Sequence, residues 1–306
     1  MSETKTSPTT QPKIALLGAG TMGAGIAQRL LDRGFPVNVW NRTPGPAARL
    51  AERGATASTT AVGAVADADV VLTMLPTPDA VEEVMVQQGT LHAIRPGAVW
   101  AQMGTIGIEA TVRLKSEVAG ARPAVAFVDA PVTGSREPAR TGGLLILASG
   151  PERAKAVLDP VLEALGRTVW LGEAGAGSRM KLVLNTWLAF EVEAVAEVSA
   201  AASRLGVPYN ELLGAVTGGP LASGTALTKL AKMQSGDYSA DFSLEWALKD
   251  LDLANAAAGE ELLPVARSIA ERWRRLVEQG YGRLDISAAR IGLGDSPLVS
   301  GTGEAA

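Results

Sequence analysis

Residues 13–34, KIALLGAGTMGAGIAQRLLDRG, constrain the start of the fold more than any other stretch. A short apolar run breaks at Gly18, and Gly20 and Gly23 complete the spacing G-x-G-x-x-G. A segment of helical periodicity (22–34) follows and closes on glycine. Strand, glycine turn and helix in that order open a βαβ unit that takes a dinucleotide. Gly18 permits the tight turn, Gly20 lets backbone approach the pyrophosphate, and Gly23 lets helix pack closely on strand. Ala19, Thr21 and Met22 fill the loop between them, where the N–H groups and dipole of the helix N-terminus favour an anion. A glycine-rich turn without a ligand is the alternative, and the flanking strand and helix weigh against it.

The end of the next strand, PVNVW (36–40), selects between two dinucleotides. An acidic residue there would bind the ribose 2′-hydroxyl. This chain has Asn41, Arg42 and Thr43 instead. Asn41 carries no charge to repel a phosphate, Arg42 can hold a 2′-phosphate bidentately, and Thr43 can add a hydrogen bond. The expected cofactor is therefore NADPH or NADP⁺. A solvated arginine at a loop tip is the competing reading.

Further strands are expected at 68–75, 97–103, 124–130, 143–149 and 168–172, with helical stretches such as 78–88 and 107–117 between them. Alternating strands and helices imply an α/β class with a parallel, doubly wound sheet. After Gly172 the pattern changes to helical periodicity with almost no strands. Residues 177–206 read as one long helix, too apolar for the surface, to be buried between domains or between subunits. The expected organisation is a disordered head (1–11), a Rossmann domain binding NADP (12–174), an all-helical domain for substrate and dimerisation (175–295) and a flexible tail (296–306). The long apolar helix leads to an expected homodimer or larger homo-oligomer.

Composition excludes much chemistry. The 306 residues hold no cysteine and a single histidine, His92, so a thiolate nucleophile, a Cys- or His-ligated metal and a Ser-His-Asp triad are not expected. His92 reads as a surface residue. A net charge of −4 without a basic run argues against nucleic acid. The polar N-terminus is no secretory signal and no run is long enough for a membrane span, so a cytoplasmic protein is expected.

GAGSRMKLVLNTWLAF (175–190) places Lys181 in an apolar helix, with Asn185 one turn on. Lys181 is either a snorkelling surface lysine or a buried cation. The motifs GAGTMGAGIAQRLLDRG, WNRT, DAPVTGSREPARTGGLLILASG, GAGSRMKLVLN and FSLEWALKDLDLA occur in this order and together resemble the β-hydroxyacid dehydrogenase family. GYGRLDISA (280–288) resembles its glyoxylate/succinic semialdehyde reductase branch. The resemblance spans about residues 13–290 and implies a Rossmann domain, an all-helical domain and an active site in the cleft between them. It implies Lys181 as the catalytic lysine and Asn185 as its neighbour. It also implies Thr133, Gly134 and Ser135 at the substrate carboxylate, Phe242 lining the substrate site, and Asp250 near the lysine. On the cofactor side it implies Met74, Leu75 and Pro76 beside the nicotinamide, Thr105 at the cofactor and Lys249 near NADP. From the residues alone, Lys249 and Asp250 read as a solvated helix face, whereas the hydroxyls and backbone N–H groups of 133–135 suit a carboxylate, with a plain strand-ending turn as the alternative. The chain departs from the family pattern at Gly104, where serine is common, at Thr186, where a second asparagine is common, and at the bulky Trp187 and Trp246.

Hydride transfer to a carbonyl creates an alkoxide, and Lys181 could stabilise it and supply the proton. A free lysine has a pKa of about 10.4, which burial would lower and a nearby Asp250 would raise, a balance that sequence does not fix. The expected function is an NADPH-dependent reductase of a small aldehyde acid, or the reverse oxidation of a β-hydroxyacid. Two alternatives stay open. An imine or ketone reductase of the same fold would generally lack the lysine. An inactive NADP-binding scaffold would have no reason to keep Lys181, Asn185 and Asp250 together.

Overall fold

A computed structural model of the chain describes residues 11–259 and 261–294. The expected tail (296–306), and the head (1–11) apart from Gln11, lie outside the described residues. The chain forms two compact units, residues 1–181 and 182–306, so the division falls inside the long helix Ala176–Leu205 rather than ahead of it.

The first unit is built on six parallel strands: β1 (Ile14–Leu17), β2 (Val37–Trp40), β3 (Thr56–Ala57), β4 (Val70–Thr73), β5 (Val99–Gln102) and β6 (Ala126–Asp129). Their order is β3-β2-β1-β4-β5-β6, so the direction of winding reverses beside β1, between β2 and β4. Ligands of such sheets gather at the carboxyl ends of the strands beside that reversal. The runs IALL, VVLT, VWAQ and AFVD are buried throughout, as strands covered on both faces must be. Ile14 and Leu16 join Ile26, Leu30 and Leu158 on one face, while Ala15 and Leu17 join Trp100, Leu114 and Phe127 on the other.

The strands expected at 143–149 and 168–172 do not extend this sheet. They form a second, mixed sheet: β7 (Val132–Thr133) runs antiparallel to β8 (Leu144–Ala148), which runs parallel to β9 (Gly166–Trp170). Beyond Asp129 the chain runs on through Pro131 into β7 and changes course at Gly134, where φ is +128° and glycine is favoured. The short helix Arg136–Thr141 then brings the chain back, so β8 returns antiparallel beside β7, and the antiparallel bridge Asp129–Ser149 joins the sheets.

The second unit contains the body of the long helix and the helices Tyr209–Val216, Gly224–Ser235, Leu244–Ala258 and Pro264–Leu276. Ala189, Val192 and Ala196 of the long helix pack with Leu244, Leu248, Leu251, Ile269 and Trp273. Burial of the long helix is one-sided in the single chain. Val183 (62%), Trp187 (67%), Val198 (54%) and Leu205 (78%) remain exposed. Glu193 is buried within this core, where Trp273 Nε1 donates to it at 2.8 Å and Arg272 Nε lies at 3.1 Å. Burial pushes its carboxyl up, against the pull of Arg272 and Trp273. Among the described residues no helix is long and apolar enough to cross a membrane, and no group of three potential metal ligands occurs. His92 is exposed.

A second buried charge organises the chain ahead of the helix Leu244–Ala258. Asp285 is fully buried, with Lys229 Nζ at 2.7 and 3.0 Å from its two carboxylate oxygens. It also accepts backbone N–H groups of Asp241, Phe242 and Ser287 at 3.1, 3.3 and 3.0 Å. Burial alone would raise its pKa, but the Lys229 and Ser287 donors outweigh it and hold the carboxyl below its ordinary value. A depressed pKa contributes stability that is present above the unfolded value of about 3.9 and is lost as pH falls through the folded value. Asp285→Asn would strand the Lys229 cation, at a cost of about 3–5 kcal/mol. Urea unfolding at neutral pH is expected to show that difference, and the gap from wild type should close below about pH 4.

Candidate active site

The glycine loop has the geometry that each position requires. Gly18 has φ +100°, and a Cβ there would lie 2.5 Å from the Met74 carbonyl oxygen. A Cβ on Gly23 would lie 1.9 Å from the Gly18 carbonyl oxygen, so helix and strand meet backbone to backbone. Gly20 differs, because nothing lies within 4 Å of its absent Cβ. The space above it is open, as a ligand cradle must be. The helix Thr21–Asp32 starts there with no side-chain cap and no acidic residue in its first turn. First-turn N–H groups without an intrahelical partner or cap suit a pyrophosphate.

Asn41 does more than lack a charge. Its Oδ1 accepts the Ala19 N–H at 2.8 Å, and its Nδ2 donates to the Thr43 carbonyl at 2.9 Å and to Thr43 Oγ1 at 3.0 Å. The side chain thus braces the glycine loop against the turn after β2, with acceptor and donors both engaged. An aspartate would turn an oxygen onto the Thr43 carbonyl. Arg42 and Thr43 are exposed on this braced turn, and the Thr43 hydroxyl keeps its proton to donate.

The ends of β4 and β5 form a second braced edge, which sequence reasoning missed. Trp100 Nε1 donates to Thr73 Oγ1 at 3.0 Å, and Thr73 Oγ1 donates to Gln102 Oε1 at 3.2 Å. Gln102 grips the following loop from both sides, accepting the Gly104 N–H at 3.1 Å and donating to the Gly104 carbonyl at 2.6 Å. Polar Thr73 and Gln102 ending two otherwise apolar strands were the available signal. This network sets the path of the chain into Thr105. It also explains Gly104, since a Cβ there would lie 2.4 Å from the Leu75 carbonyl oxygen. Serine cannot enter without moving the stretch formed by Met74, Leu75 and Pro76.

At the end of β7, Thr133 Oγ1 is buried and has no hydrogen-bond partner among the described residues. Ser135 precedes the helix Arg136–Thr141 without capping it through its side chain. Gly134 between them is exposed. Among the described residues the Thr133 hydroxyl is thus not spent on the fold, nor that of Ser135 on the helix start.

Lys181 is 9% exposed, which sets aside the snorkelling reading. Asn185 (7%) follows one turn later on the same face of the helix. Its Nδ2 donates to Asp250 Oδ2 at 2.5 Å. Asp250 is 3% exposed and Lys249 Nζ lies 3.0 Å from its other oxygen, so this pair is no solvated helix face. Lys249 Nζ also lies 5.8 Å from the centre of the Trp246 ring, and Phe242 is half-buried just ahead of the same helix. Two departures from the family pattern acquire a place. The Thr186 hydroxyl donates to the Leu182 carbonyl at 2.8 Å and is absorbed by its own helix. Trp187, two residues from Asn185, is rotated about 200° around the axis onto the exposed stripe.

A doubly wound sheet with an uncapped glycine loop at its reversal is the frame of a dinucleotide-binding domain. The family profile described as the NAD binding domain of 6-phosphogluconate dehydrogenase matches residues 13–172. The profile described as the NAD-binding of NADP-dependent 3-hydroxyisobutyrate dehydrogenase matches residues 175–290. The chain belongs to the β-hydroxyacid dehydrogenase family, whose members act on hydroxyl and carbonyl groups. It is 31% identical over 280 residues to glyoxylate/succinic semialdehyde reductase 1 of Arabidopsis thaliana, spanning 90% of this chain and 96% of that protein. It is 32% identical to the cytokine-like nuclear factor N-PAC of Xenopus tropicalis, covering 91% of this chain but only 53% of that protein. Among solved structures, Mycobacterium tuberculosis 3-hydroxyisobutyrate dehydrogenase with L-serine superposes with a TM-score of 0.82 at 29% identity, covering 92% of this chain and 98% of that one.

The contrast between two glycines is testable. Gly20→Ala is expected to leave Tm unchanged and to weaken NADPH binding, since its methyl group meets only open space. Gly23→Ala should lower Tm as well, because its Cβ collides with backbone. Thermal melts with NADPH fluorescence titrations would separate the two effects.

Proposed function

We propose that the chain is an NADPH-dependent reductase of small aldehyde acids of the glyoxylate or succinic semialdehyde type, able to run the reverse oxidation of a β-hydroxyacid. The observation that carries this reading is the burial of Lys181 on one helix face with Asn185, in a chain that lacks cysteine and has a single, exposed histidine. The uncommitted hydroxyls of Thr133 and Ser135 support a carboxylate-bearing substrate. The names of the similar Arabidopsis and mycobacterial proteins point to the same substrate class.

When bound, the nicotinamide supplies the hydride. Thr133, Ser135 and the Gly134 backbone hold the substrate carboxylate and so orient the carbonyl. The Lys181 ammonium hydrogen-bonds the carbonyl oxygen, offsets the charge that develops there and delivers a proton from Nζ. Asn185 is fixed by Asp250 through its Nδ2, which leaves Oδ1 as an acceptor directed away from the carboxylate. Phe242 covers the apolar side of the substrate. Met74, Leu75, Pro76, Thr105 and Lys249 line the cofactor, and the glycine loop carries its pyrophosphate.

Arg42 and Thr43, presented by the Asn41 brace, take the 2′-phosphate. A charge-assisted hydrogen bond is worth about 1.5–3 kcal/mol, so Arg42→Ala should raise KM for NADPH by about 10–100-fold. KM for NADH should hardly move, and equal effects on both cofactors would remove the phosphate assignment.

Lys181→Ala should lower kcat by about 10²–10⁴-fold with KM for NADPH unchanged, read as NADPH consumption with glyoxylate and succinic semialdehyde. Ketones and cyclic imines belong in the same panel. An enzyme that prefers an imine and tolerates the loss of Lys181 would sink the aldehyde-acid reading. Trp187, one of the two bulky departures from the family pattern, lies on a different helix face from Lys181 and Asn185. The exposed stripe of Val183, Trp187, Val198 and Leu205 supports a homodimer, for which sedimentation of the intact chain is the check.

A further inference from the structure

The long helix that carries Lys181 starts on a single buried carboxylate. Asp129 ends β6 and is fully buried. Its Oδ2 accepts the N–H groups of Gly175 at 3.1 Å and Ser178 at 2.8 Å, and the Ser149 hydroxyl at 3.2 Å. Its Oδ1 accepts the Ser178 hydroxyl at 2.7 Å. Ser149 Oγ in turn accepts the Gly177 N–H at 2.9 Å. The start of the helix also lies directly against strand backbone, since a Cβ on Gly177 would be 2.1 Å from the Leu147 carbonyl oxygen and 3.0 Å from that of Asp129.

Orphan N–H groups and the positive end of the dipole make a carboxylate the favoured partner of a helix start. An ordinary N-cap comes from the residue just before the helix. Here the acceptor is supplied by a strand 46 residues before Gly175, so the same bonds that cap the helix tether it. Four donors converge on two oxygens, and only a carboxylate accepts all four, since an amide would turn N–H groups toward some of them. Burial pushes the Asp129 carboxyl upward, and the Ser178, Ser149 and Gly175 donors oppose that push.

Ser178, Lys181 and Asn185 stand at i, i+3 and i+7, on one face of the helix. Ser178 binds Asp129 through both its N–H and its hydroxyl, which fixes rotation and axial height at once. We propose that Asp129 is a positioning residue for Lys181: gripping the first turn through Ser178, it sets where the ammonium one turn later meets the reacting carbonyl. The proposal rests on Lys181 as the proton donor and adds the source of its precision. A reacting group misplaced by about 1 Å can cost about 10²-fold in rate.

The test is a double-mutant cycle on the intact chain. Ser178→Ala and Asp129→Asn are each made in wild type and in Lys181→Ala, and kcat, KM for NADPH, the Kd of NADPH and Tm are measured. Single variants should lose about 10–100-fold in kcat with KM and Kd for NADPH unchanged. In the Lys181→Ala background the same changes should cost nothing further, because their effect passes through the absent ammonium. Unchanged kcat in Ser178→Ala, or losses that add to that of Lys181→Ala, would overturn the proposal. Should Asp129→Asn fail to fold, Ser178→Ala decides, since it removes one hydroxyl and keeps the backbone contacts. A Lys181→Ala enzyme with wild-type kcat would overturn the proton-donor reading itself, and that result is read from the single variant alone.

Discussion

Everything at the nucleotide end of the first unit depends on how closely the first helix approaches the first strand. Gly23 lies against the Gly18 carbonyl, and Gly18 lies against the Met74 carbonyl. No side chain stands between these three pieces of backbone, so the loop cannot loosen at one point without losing its register at the next. Asn41 adds the turn after β2 to the same rigid set through the Ala19 N–H. What remains open is the space above Gly20, left by the one glycine of the three whose missing Cβ has no protein neighbour.

Much of this was legible in sequence because its determinants are local. A glycine motif of six residues states its own turn, and unbroken apolar runs such as VVLT state their own burial. The bracing by Gln102 was not legible, because its partner Thr73, itself held by Trp100, comes from another strand and meets it only when β4 pairs with β5. The second sheet was missed for a related reason. LLILA reads as a strand wherever it lies, and only the two-residue β7 and the turn at Gly134 decide that it pairs backward. Trp187 shows the opposite difficulty. It stands two residues from Asn185 in sequence, yet helical geometry turns it onto another face.

Asp129 was visible only as the first letter of a motif whose later letters drew attention to the substrate. Its partners Ser149, Gly175 and Ser178 lie 20 to 49 residues away. No periodicity joins them. Buried polar networks of this kind are high-stakes elements, costly when incomplete and specific when satisfied. The second unit uses them too, at Glu193 and at Asp285. Burial dominates the first and raises its pKa, whereas donors dominate the second and lower it. The two therefore respond to pH with opposite sign inside one helical unit.

The contact between Gly104 and the Leu75 carbonyl has an evolutionary consequence. It welds the loops after β4 and β5 into one shelf, with Gln102 as the bolt. No single substitution can add a carbon at 104, because it would displace the chain beyond two strand ends together. Phe242 and Trp246 of the helical unit meet no such limit, since one is half-buried and the other partly exposed, and each can change size without moving a strand. A change at 104 must therefore come together with a change in the path of residues 74–76, so the two loops can vary only as a pair.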